Sequence, residues 1–451
     1  MPEQDSTPVP PAASQETTSQ ETAGVPSSSG PRVSRRGLLT TASLVGAGAI
    51  GAAASYAVTR PSGADAQPAA SAVVPFHGEH QAGIVTPVQD RLHIAAFDVT
   101  ATSRDDVVSL LKDWTAAAEA MAAGREAGEG GAVGGDYEAP PSDTGEAMGL
   151  SASNLTITFG FGRSFFVTDD GAPRFGLSGR LPEALIELPH FPGDQLEPQR
   201  TGGDLVIQAC ADDPQVAVHA IRNLSRIAFG RARLRWSQLG FGRTSSTSTS
   251  QQTPRNLFGF KDGTANLKAE EPEQLAEHVW VAPGGKPGEQ WMAGGSYLVA
   301  RRIRMHIEVW DRTSLGEQEA VIGRTKSTGA PLSGGQEFTE PNFEAKGRGD
   351  APLIAMDSHV RLAHAATNKG VKMLRRGFNF TDGNDSLGRL DAGLFFIAFV
   401  RDPRTQFVPM QNRLASSDRL SVEYLKHTGS GLFAVPPGIK PGEYVGQGLF
   451  A

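Results

Sequence analysis

The order of strand and helix patterns along the chain predicts an α+β protein in which one unit occurs twice. Residues 92–99 and 295–307 carry strand patterns, and each is followed by a helical pattern and then by a long insertion. Further strand and helix patterns follow the insertion in each half. The repeated order indicates a tandem duplication of a ferredoxin-like unit, in which an antiparallel sheet carries peripheral helices on one face.

In the first half, Ser103 precedes a helical stretch with two aspartates in its first turn, as expected of a helix N-terminus. The Gly-rich residues 124–149 then predict a long loop. Strand patterns resume at residues 155–161 and 204–209, and a helical pattern leads from the second of these to a strand at residues 232–236.

In the second half, the strand at residues 295–307 is followed by a helical stretch that runs through Ile322. Residues 393–400 predict a strongly apolar strand, and Phe407 and Leu414 lie on one face of the helix behind it. The second half therefore repeats the order of the first.

A Ser- and Thr-rich stretch, residues 243–253, predicts the linker between the two halves. The predicted domains are accordingly an N-terminal ferredoxin-like domain at residues 67–250 and a C-terminal one at residues 251–451.

The first 66 residues predict an export signal rather than part of either domain. Residues 1–33 have almost no large apolar side chains and cannot bury enough surface to fold. Arg35 and Arg36 precede a weakly hydrophobic Ala/Gly-rich run, which looks like a twin-arginine signal cleaved after Ala66. A chance arginine pair or an uncleaved anchor helix are the alternatives. The prediction is export to the periplasm, the cell envelope or the medium.

Composition excludes several other classes of protein. The 451 residues are 39% hydrophobic, which is enough for a sizeable core. The net charge of −7 is spread without long basic blocks, so no nucleic-acid partner is expected. The single cysteine, Cys210, excludes an intrachain disulfide and any metal site that needs several cysteines.

The usual hydrolase and nucleotide-binding motifs do not occur in the sequence. A stretch around one aspartate is the better candidate for a functional site. No P-loop, HExxH or GxSxG pattern occurs, and Asp382 to Asp385 predict a turn rather than a calcium loop. In the stretch NLFGFKDGTANL, Asp262 lies between Gly259 and Gly263. By itself this pattern leaves Asp262 as a turn residue, a metal ligand or a proton carrier.

A histidine and an arginine downstream of this aspartate are further candidates for the same site. His359 lies in the stretch SHVRLA, and Arg375 lies in the stretch LRRG. A lone histidine is a weak signal for a ligand, but the three segments occur together and in a fixed order. In that order, behind a twin-arginine signal, they closely resemble the dye-decolourising peroxidases, particularly the exported subgroup that includes the deferrochelatase/peroxidase of bacterial iron uptake. The likeness runs from about Gly83 to the C-terminus.

The resemblance implies a fold and a cofactor. Its members have two ferredoxin-like domains in a dimeric α+β barrel-like arrangement, which agrees with the duplication. It also implies one haem b per chain, held mainly in the C-terminal half. His359 matches the proximal iron ligand. Asp262 matches the distal acid and Arg375 the distal arginine.

Residues around these three are also carried over. Gly263, Thr264 and Ala265 match the segment that lies against the haem. After His359, relatives often show Asn-Pro-Arg where this chain has His364-Ala365-Ala366, which leaves the haem-edge contacts there open and makes His364 a rival ligand.

A carboxylate on the second nitrogen of the histidine would make it a stronger donor to iron. Asp391, in the stretch LDAG, is the candidate for that partner, and a plain residue at the start of a strand is the alternative.

The function predicted is a haem peroxidase that reduces hydrogen peroxide and oxidises dyes, phenolics or another organic electron donor. Asp262 could accept and return the proton that peroxide must move, and Arg375 could stabilise the negative charge that develops. The alternative is a deferrochelatase-like protein that releases iron from haem for uptake, with partner proteins of an iron-uptake system. A non-catalytic binding module is a third possibility. The oligomeric state is left open.

Overall fold

The structure is a computed structural model, and it describes residues 73–451. The predicted export signal at residues 1–66 lies outside the described residues. Within residues 73–451, no helix is both long and apolar enough to cross a bilayer.

In the described part of the first half, residues 73–250, four strands are joined by three helices. Ser103 caps the first helix through its side chain, which accepts a hydrogen bond from the Asp106 amide, as the sequence predicts. In chain order the elements are β1 (Arg91–Val99), α1 (Arg104–Ala122), β2 (Thr156–Gly162), α2 (Arg163–Phe166), β3 (Leu205–Ala211), α3 (Pro214–Ile227) and β4 (Ala232–Arg243).

The second half repeats the plan with more helices and longer insertions. In chain order its elements are α4 (Pro272–His278), β5 (Ser296–Met305), α5 (Ile307–Trp310), α6 (Leu315–Ile322), α7 (His359–Ala363), β6 (Leu374–Arg375), β7 (Phe378–Asn384), β8 (Leu390–Val400), α8 (Phe407–Ser417), α9 (Arg419–Tyr424), β9 (Leu425–Val435) and α10 (Gln447–Phe450). Short 3₁₀ turns lie at Pro198–Arg200, Pro287–Met292, Arg348–Asp350 and Ala365–Asn368.

The strand order confirms the duplication of a ferredoxin-like unit. The first half has the order β2-β3-β1-β4 and the second half the order β9-β5-β8-β7, so the first strand of each unit lies between its third and fourth. All pairings between these strands are antiparallel. The domain limits drawn from the sequence, 67–250 and 251–451, stay predictions.

The two half-sheets join at both edges and close a barrel. β2 pairs with β9, β4 pairs with β7, and β5 pairs with β8, so eight of the strands in residues 73–451 form a ring. The short β6 adds to β8 outside this ring. Alternate side chains from seven of the eight ring strands meet in one buried cluster inside the barrel. The cluster includes Ile94, Val206, Phe378, Ile397 and Phe433.

Two further cores lie outside the barrel. In the first half, α1 and α3 cover the sheet around the buried Trp114. In the second half, a smaller core joins Phe258 and Phe260 to Trp310 and Tyr424. This smaller core supports the site, because Phe258 and Phe260 lie in the stretch NLFGFKDGTANL.

Candidate active site

The loop that carries Asp262 is anchored by two buried phenylalanines. Phe258 and Phe260 are each 2% exposed, and Phe258 stacks on Trp310 with 4.3 Å between ring centroids. The Trp310 indole N–H donates to the Phe258 carbonyl at 3.1 Å. The Asp262 amide in turn donates to the Pro254 carbonyl at 2.9 Å. Packing and backbone hydrogen bonds therefore fix where Asp262 lies.

Both carboxylate oxygens of Asp262 accept hydrogen bonds. Arg375 donates from Nη1 to Oδ1 at 2.8 Å, and Asn256 donates from Nδ2 to Oδ2 at 3.2 Å. The Asn256 amide cannot turn over freely, because its Oδ1 accepts from the Phe258 amide at 3.0 Å. One of these donors, Arg375, is a cation, so Asp262 and Arg375 form an ion pair. Only 16% of the Asp262 side chain is exposed.

Arg375 is tied to the same loop through its backbone. Asn266 accepts from the Arg375 amide at 2.7 Å and donates to the Arg375 carbonyl at 2.9 Å. One buried amide side chain thus joins β6 to the residues that follow Asp262. Sequence reasoning missed both Asn256 and Asn266, because asparagines near glycines look like ordinary turn residues.

The residues after Asp262 fall in three different environments. Gly263 is buried with φ +89°, and an added Cβ would lie 2.9 Å from the Ser245 Cα, so glycine is required there. Thr264 is half-buried, and its hydroxyl donates to Glu337 at 3.3 Å. Ala265 is exposed. Of the three predicted cofactor contacts, Ala265 is thus the most open in the structure.

His359 begins α7 and is held by a buried carboxylate. Its Nδ1 donates to Asp418 Oδ2 at 2.8 Å, and Asp418 is fully buried. Asp418 is itself fixed as the N-cap of α9, accepting from the Leu420 amide at 3.1 Å. Burial lowers the pKa of His359, but the charge of Asp418 and the hydrogen bond to it outweigh this and leave that pKa raised.

The predicted partner of the histidine, Asp391, is wrong. Asp391 lies on β8 and accepts from Arg302 of the neighbouring strand β5 at 2.8 Å. Asp418, which the sequence analysis did not consider, occupies the place beside His359. Its only local signal is that of a helix cap, an aspartate in front of a short helix.

His364 does not compete for the role of ligand, because both of its ring nitrogens are engaged. Nδ1 accepts from the Ala366 amide at 3.2 Å, and Nε2 lies 3.1 Å from Glu340 Oε1. In His359, by contrast, Nε2 has no hydrogen-bond partner among residues 73–451, and 32% of the side chain is exposed.

The donor set fits a haem. The charge of Asp262 raises the pKa of His359 and the charge of Arg375 lowers it, so both groups lie within electrostatic range of the imidazole. A metal at His359 Nε2 would meet a neutral imidazole nitrogen whose other nitrogen already bonds a carboxylate, which is the usual second contact of a metal-binding histidine.

Two family models divide the chain between them. The model described as Dyp-type peroxidase, N-terminal matches residues 81–242, and the model described as Dyp-type peroxidase, C-terminal matches residues 253–440. The chain belongs to the Dyp-type peroxidase family. It is therefore a haem peroxidase, an oxidoreductase that uses hydrogen peroxide and an electron donor, as the sequence predicts.

Relatives of this Dyp-type peroxidase are similar over most of their length. The deferrochelatase of Yersinia pseudotuberculosis is 38% identical over 382 residues, covering 83% of this chain and 84% of the relative. The deferrochelatase of Escherichia coli K12 is 37% identical over 380 residues, covering 83% and 86%.

Solved structures agree with the fold. Ferric DtpA from Streptomyces lividans is 42% identical with a TM-score of 0.75, covering 85% of this chain and 98% of that one. A DyP-type peroxidase from Cellulomonas bogoriensis is 40% identical with a TM-score of 0.73, covering 84% and 98%.

Proposed function

We propose that this Dyp-type peroxidase binds one haem b between His359 on one side and Asp262 with Arg375 on the other, and there reduces hydrogen peroxide. The observations that carry this proposal are the ion pair between Asp262 and Arg375 at 2.8 Å and the hydrogen bond that holds His359 to a buried carboxylate. The electrons would come from dyes, phenolics or another organic donor.

His359 Nε2 would be the iron ligand, and Asp418 would keep the other nitrogen protonated and the ring fixed in orientation. Bound haem would supply the redox-active iron that passes electrons from the donor to peroxide. Gly263, Thr264 and Ala265 would lie against the macrocycle, where the small side chain of the exposed Ala265 permits close approach.

Asp262 would move the proton. Peroxide must lose a proton from one oxygen and gain one on the oxygen that leaves as water, so one group that accepts and returns a proton is sufficient. The hydrogen bonds from Arg375 and Asn256 hold the carboxylate in a fixed position for this proton transfer. Arg375 would also stabilise the negative charge that develops as the O–O bond breaks.

A haem titration followed by rapid mixing with peroxide tests this function. The purified chain should bind one haem, and Asp262→Asn should bind it equally but react with peroxide about 100-fold more slowly or worse, since positioned acid–base groups contribute at least that much. A His359→Ala variant should lose the iron ligand and the absorption signature that this ligand gives. A wild-type chain that binds no haem, or an Asp262→Asn variant with the wild-type rate, contradicts the proposal.

Release of iron from haem is a second candidate, favoured by the deferrochelatases among the relatives. Partner proteins of an iron-uptake system would then receive the iron. Incubating the haem-loaded protein with reductant and a ferrous chelator distinguishes the two functions. Free iron together with metal-free porphyrin supports this candidate, and intact haem throughout contradicts it.

Export by the twin-arginine route accompanies either function as a proposal. It is supported by the Arg35-Arg36 pair before an apolar run that ends near Ala66. Replacing both arginines by lysine should retain the protein in the cytoplasm. Sequencing the N-terminus of the exported protein should give Gln67 if the signal is cleaved, and an uncleaved anchor would instead leave residues 1–66 attached.

A further inference from the structure

One short segment contacts two walls of the proposed haem site, which are the loop that carries Asp262 and the helix α7 that begins at His359. Residues 337–343, here called the edge strap, run from the loop that carries Asp262 to the helix that begins at His359. Asp262 precedes the edge strap in the sequence and His359 follows it, and neither is a direct chain neighbour. The position of the edge strap is therefore defined by the contacts at its two ends.

The first end of the edge strap is bound to the Asp262 loop. Glu337 forms an ion pair with Lys261 and accepts from the Thr264 hydroxyl at 3.3 Å. Burial raises the pKa of Glu337, but its hydrogen bonds, first among them that of Lys261, outweigh burial and leave that pKa lowered. Arg324 also donates to the Glu337 carbonyl at 2.8 Å. This end is therefore an ionised and well-bonded anchor.

The second end is bound to α7. Arg361 donates to the Phe343 carbonyl at 3.0 Å, and its guanidinium lies over the Phe343 ring at 5.4 Å. His364 packs edge-on against the same ring at 5.1 Å and lies 3.1 Å from Glu340. Arg361 and His364 follow His359 by two and five positions, so this anchor belongs to the histidine wall.

These two anchors fix the edge strap to both the Asp262 loop and α7. Phe338 lies on the edge strap directly after its first anchor, and 73% of its surface is exposed. It lines a cleft of about 510 Å³ together with Thr328, Gln336 and Thr339. That volume falls in the range of small-molecule sites, which combine apolar surface with a few polar groups.

We propose that this cleft is where the peroxidase binds its organic electron donor, and that the donor is a neutral phenol. The proposal rests on the proposed function, because it places the cleft at the edge of the haem site. The exposed Phe338 ring offers a stacking surface for an aromatic ring, and Gln336 and the two threonine side chains offer partners for a phenolic hydroxyl. The Glu337 charge is compensated by Lys261, so the cleft favours a neutral over a charged ligand.

The chemistry at this site balances with the activity of the family. Each hydrogen peroxide takes two electrons and two protons to give two waters. Two phenols supply them, each losing one electron and one proton to become a phenoxyl radical. No further oxidant or reductant is required.

The test compares Phe338→Ala with the haem-loaded wild type, using guaiacol as the phenol and ferrocyanide as a donor without a ring. We expect the KM for guaiacol to rise about three- to tenfold, as the loss of one aromatic contact implies. The kcat with guaiacol, all constants for ferrocyanide and the rate with peroxide should stay at wild-type values. Phe338→Trp should restore the KM for guaiacol.

Phe229→Ala is the matched control, because Phe229 is 90% exposed in the first half, between α3 and β4. It should leave the KM for guaiacol unchanged. Calorimetric titration of guaiacol without peroxide provides a reading of the cleft that does not depend on turnover. A Phe338→Ala variant with wild-type KM and binding, or one that loses guaiacol and ferrocyanide activity equally, overturns the proposal. Absence of haem binding in the wild type overturns the proposed function, while the calorimetric titration still reports on the cleft.

Discussion

His359 and Asp418 are joined by a hydrogen bond of 2.8 Å, although 59 residues separate them in the chain. Asp418 is fully buried, and its carboxylate also accepts from the Leu420 amide and from the Ser421 hydroxyl. The contact therefore belongs to a rigid group of hydrogen bonds at the start of α9. Whatever binds at His359 Nε2 meets a ring whose orientation and proton are already set.

Replacing Asp418 by Asn should raise the reduction potential of the bound haem. The amide can still cap α9, but the negative charge beside the His359 ring is lost, so the ring becomes a weaker donor to iron. We also expect haem affinity to fall by about tenfold or more. Spectroelectrochemical titration measures the potential. Asp391→Asn is the control, since Asp391 pairs with Arg302, and it should leave the potential unchanged; equal shifts in both variants would mean that Asp418 has no special role.

Replacing Asn256 by Ala should slow the reaction with peroxide. The Asp262 carboxylate loses one of its two donors and the contact that fixes Oδ2. A hydrogen bond to a charged group is worth about 1.5–3 kcal/mol, which corresponds to a rate constant lower by about 10- to 150-fold. Stopped-flow absorption after mixing with peroxide measures it, and haem content and the KM for the donor should not change. Asn384→Ala, in an exposed hairpin, should react like the wild type.

Replacing Gly263 by Ala should destabilise the protein more than replacing Gly383 by Ala. Both glycines have φ near +90°, which costs an alanine about 1–2 kcal/mol at either position. Only at Gly263 does the new Cβ meet backbone, 2.9 Å from the Ser245 Cα, whereas nothing lies within 4 Å at Gly383. The clash should add at least about 1 kcal/mol. Urea unfolding curves of the two variants give the difference, and equal losses would mean that the loop relaxes freely.

Stability should fall as the pH drops below about 6.5, the ordinary pKa of histidine. Burial lowers the pKa of His427 to about 3 and that of His93 to about 4. Between these values and 6.5 the unfolded chain binds more protons than the folded chain. Each histidine therefore removes about 1.4 kcal/mol of unfolding free energy per pH unit over that range.

A His427→Gln variant should show a shallower loss of stability between pH 6.5 and 5 than the wild type. Urea unfolding of the haem-free protein at several pH values measures the slope. His190→Gln is the control, because His190 is exposed, and its slope should match that of the wild type. An unchanged slope in His427→Gln contradicts the assignment of a buried neutral imidazole.

Local sequence patterns predicted the elements whose structure depends mainly on neighbouring residues. The strand at residues 92–99 and the helix after Ser103 match β1 and α1 closely. The strand β9 was missed because its first half, Leu425 to Gly431, mixes lysine, histidine, threonine, serine and glycine. The reason is structural: Thr428 and Ser430 accept from the buried Arg302 and Arg301, so polar side chains fill core positions of this strand.

At the candidate site, too, local patterns did not predict contacts between residues that are distant in the chain. Asp262 and Arg375 lie 113 residues apart in the chain and are in contact. The family resemblance assigns both to the distal side of the haem, but it does not predict this contact. The sequence analysis names Asp391, in the stretch LDAG, as the candidate partner of the histidine. Nothing local reveals that β5 brings Arg302 to Asp391, or that the turn between α8 and α9 brings Asp418 to His359.

The closed barrel has a consequence for synthesis on the ribosome. When β4 is complete, β2 and β4 are bare edges, since their partners β9 and β7 have not been made. β9 begins about 180 residues later, which at ordinary translation rates takes roughly ten to forty seconds. Exposed edges invite pairing with other chains. The nascent first half is therefore the stage at which this protein most needs a chaperone, and an isolated first half should aggregate.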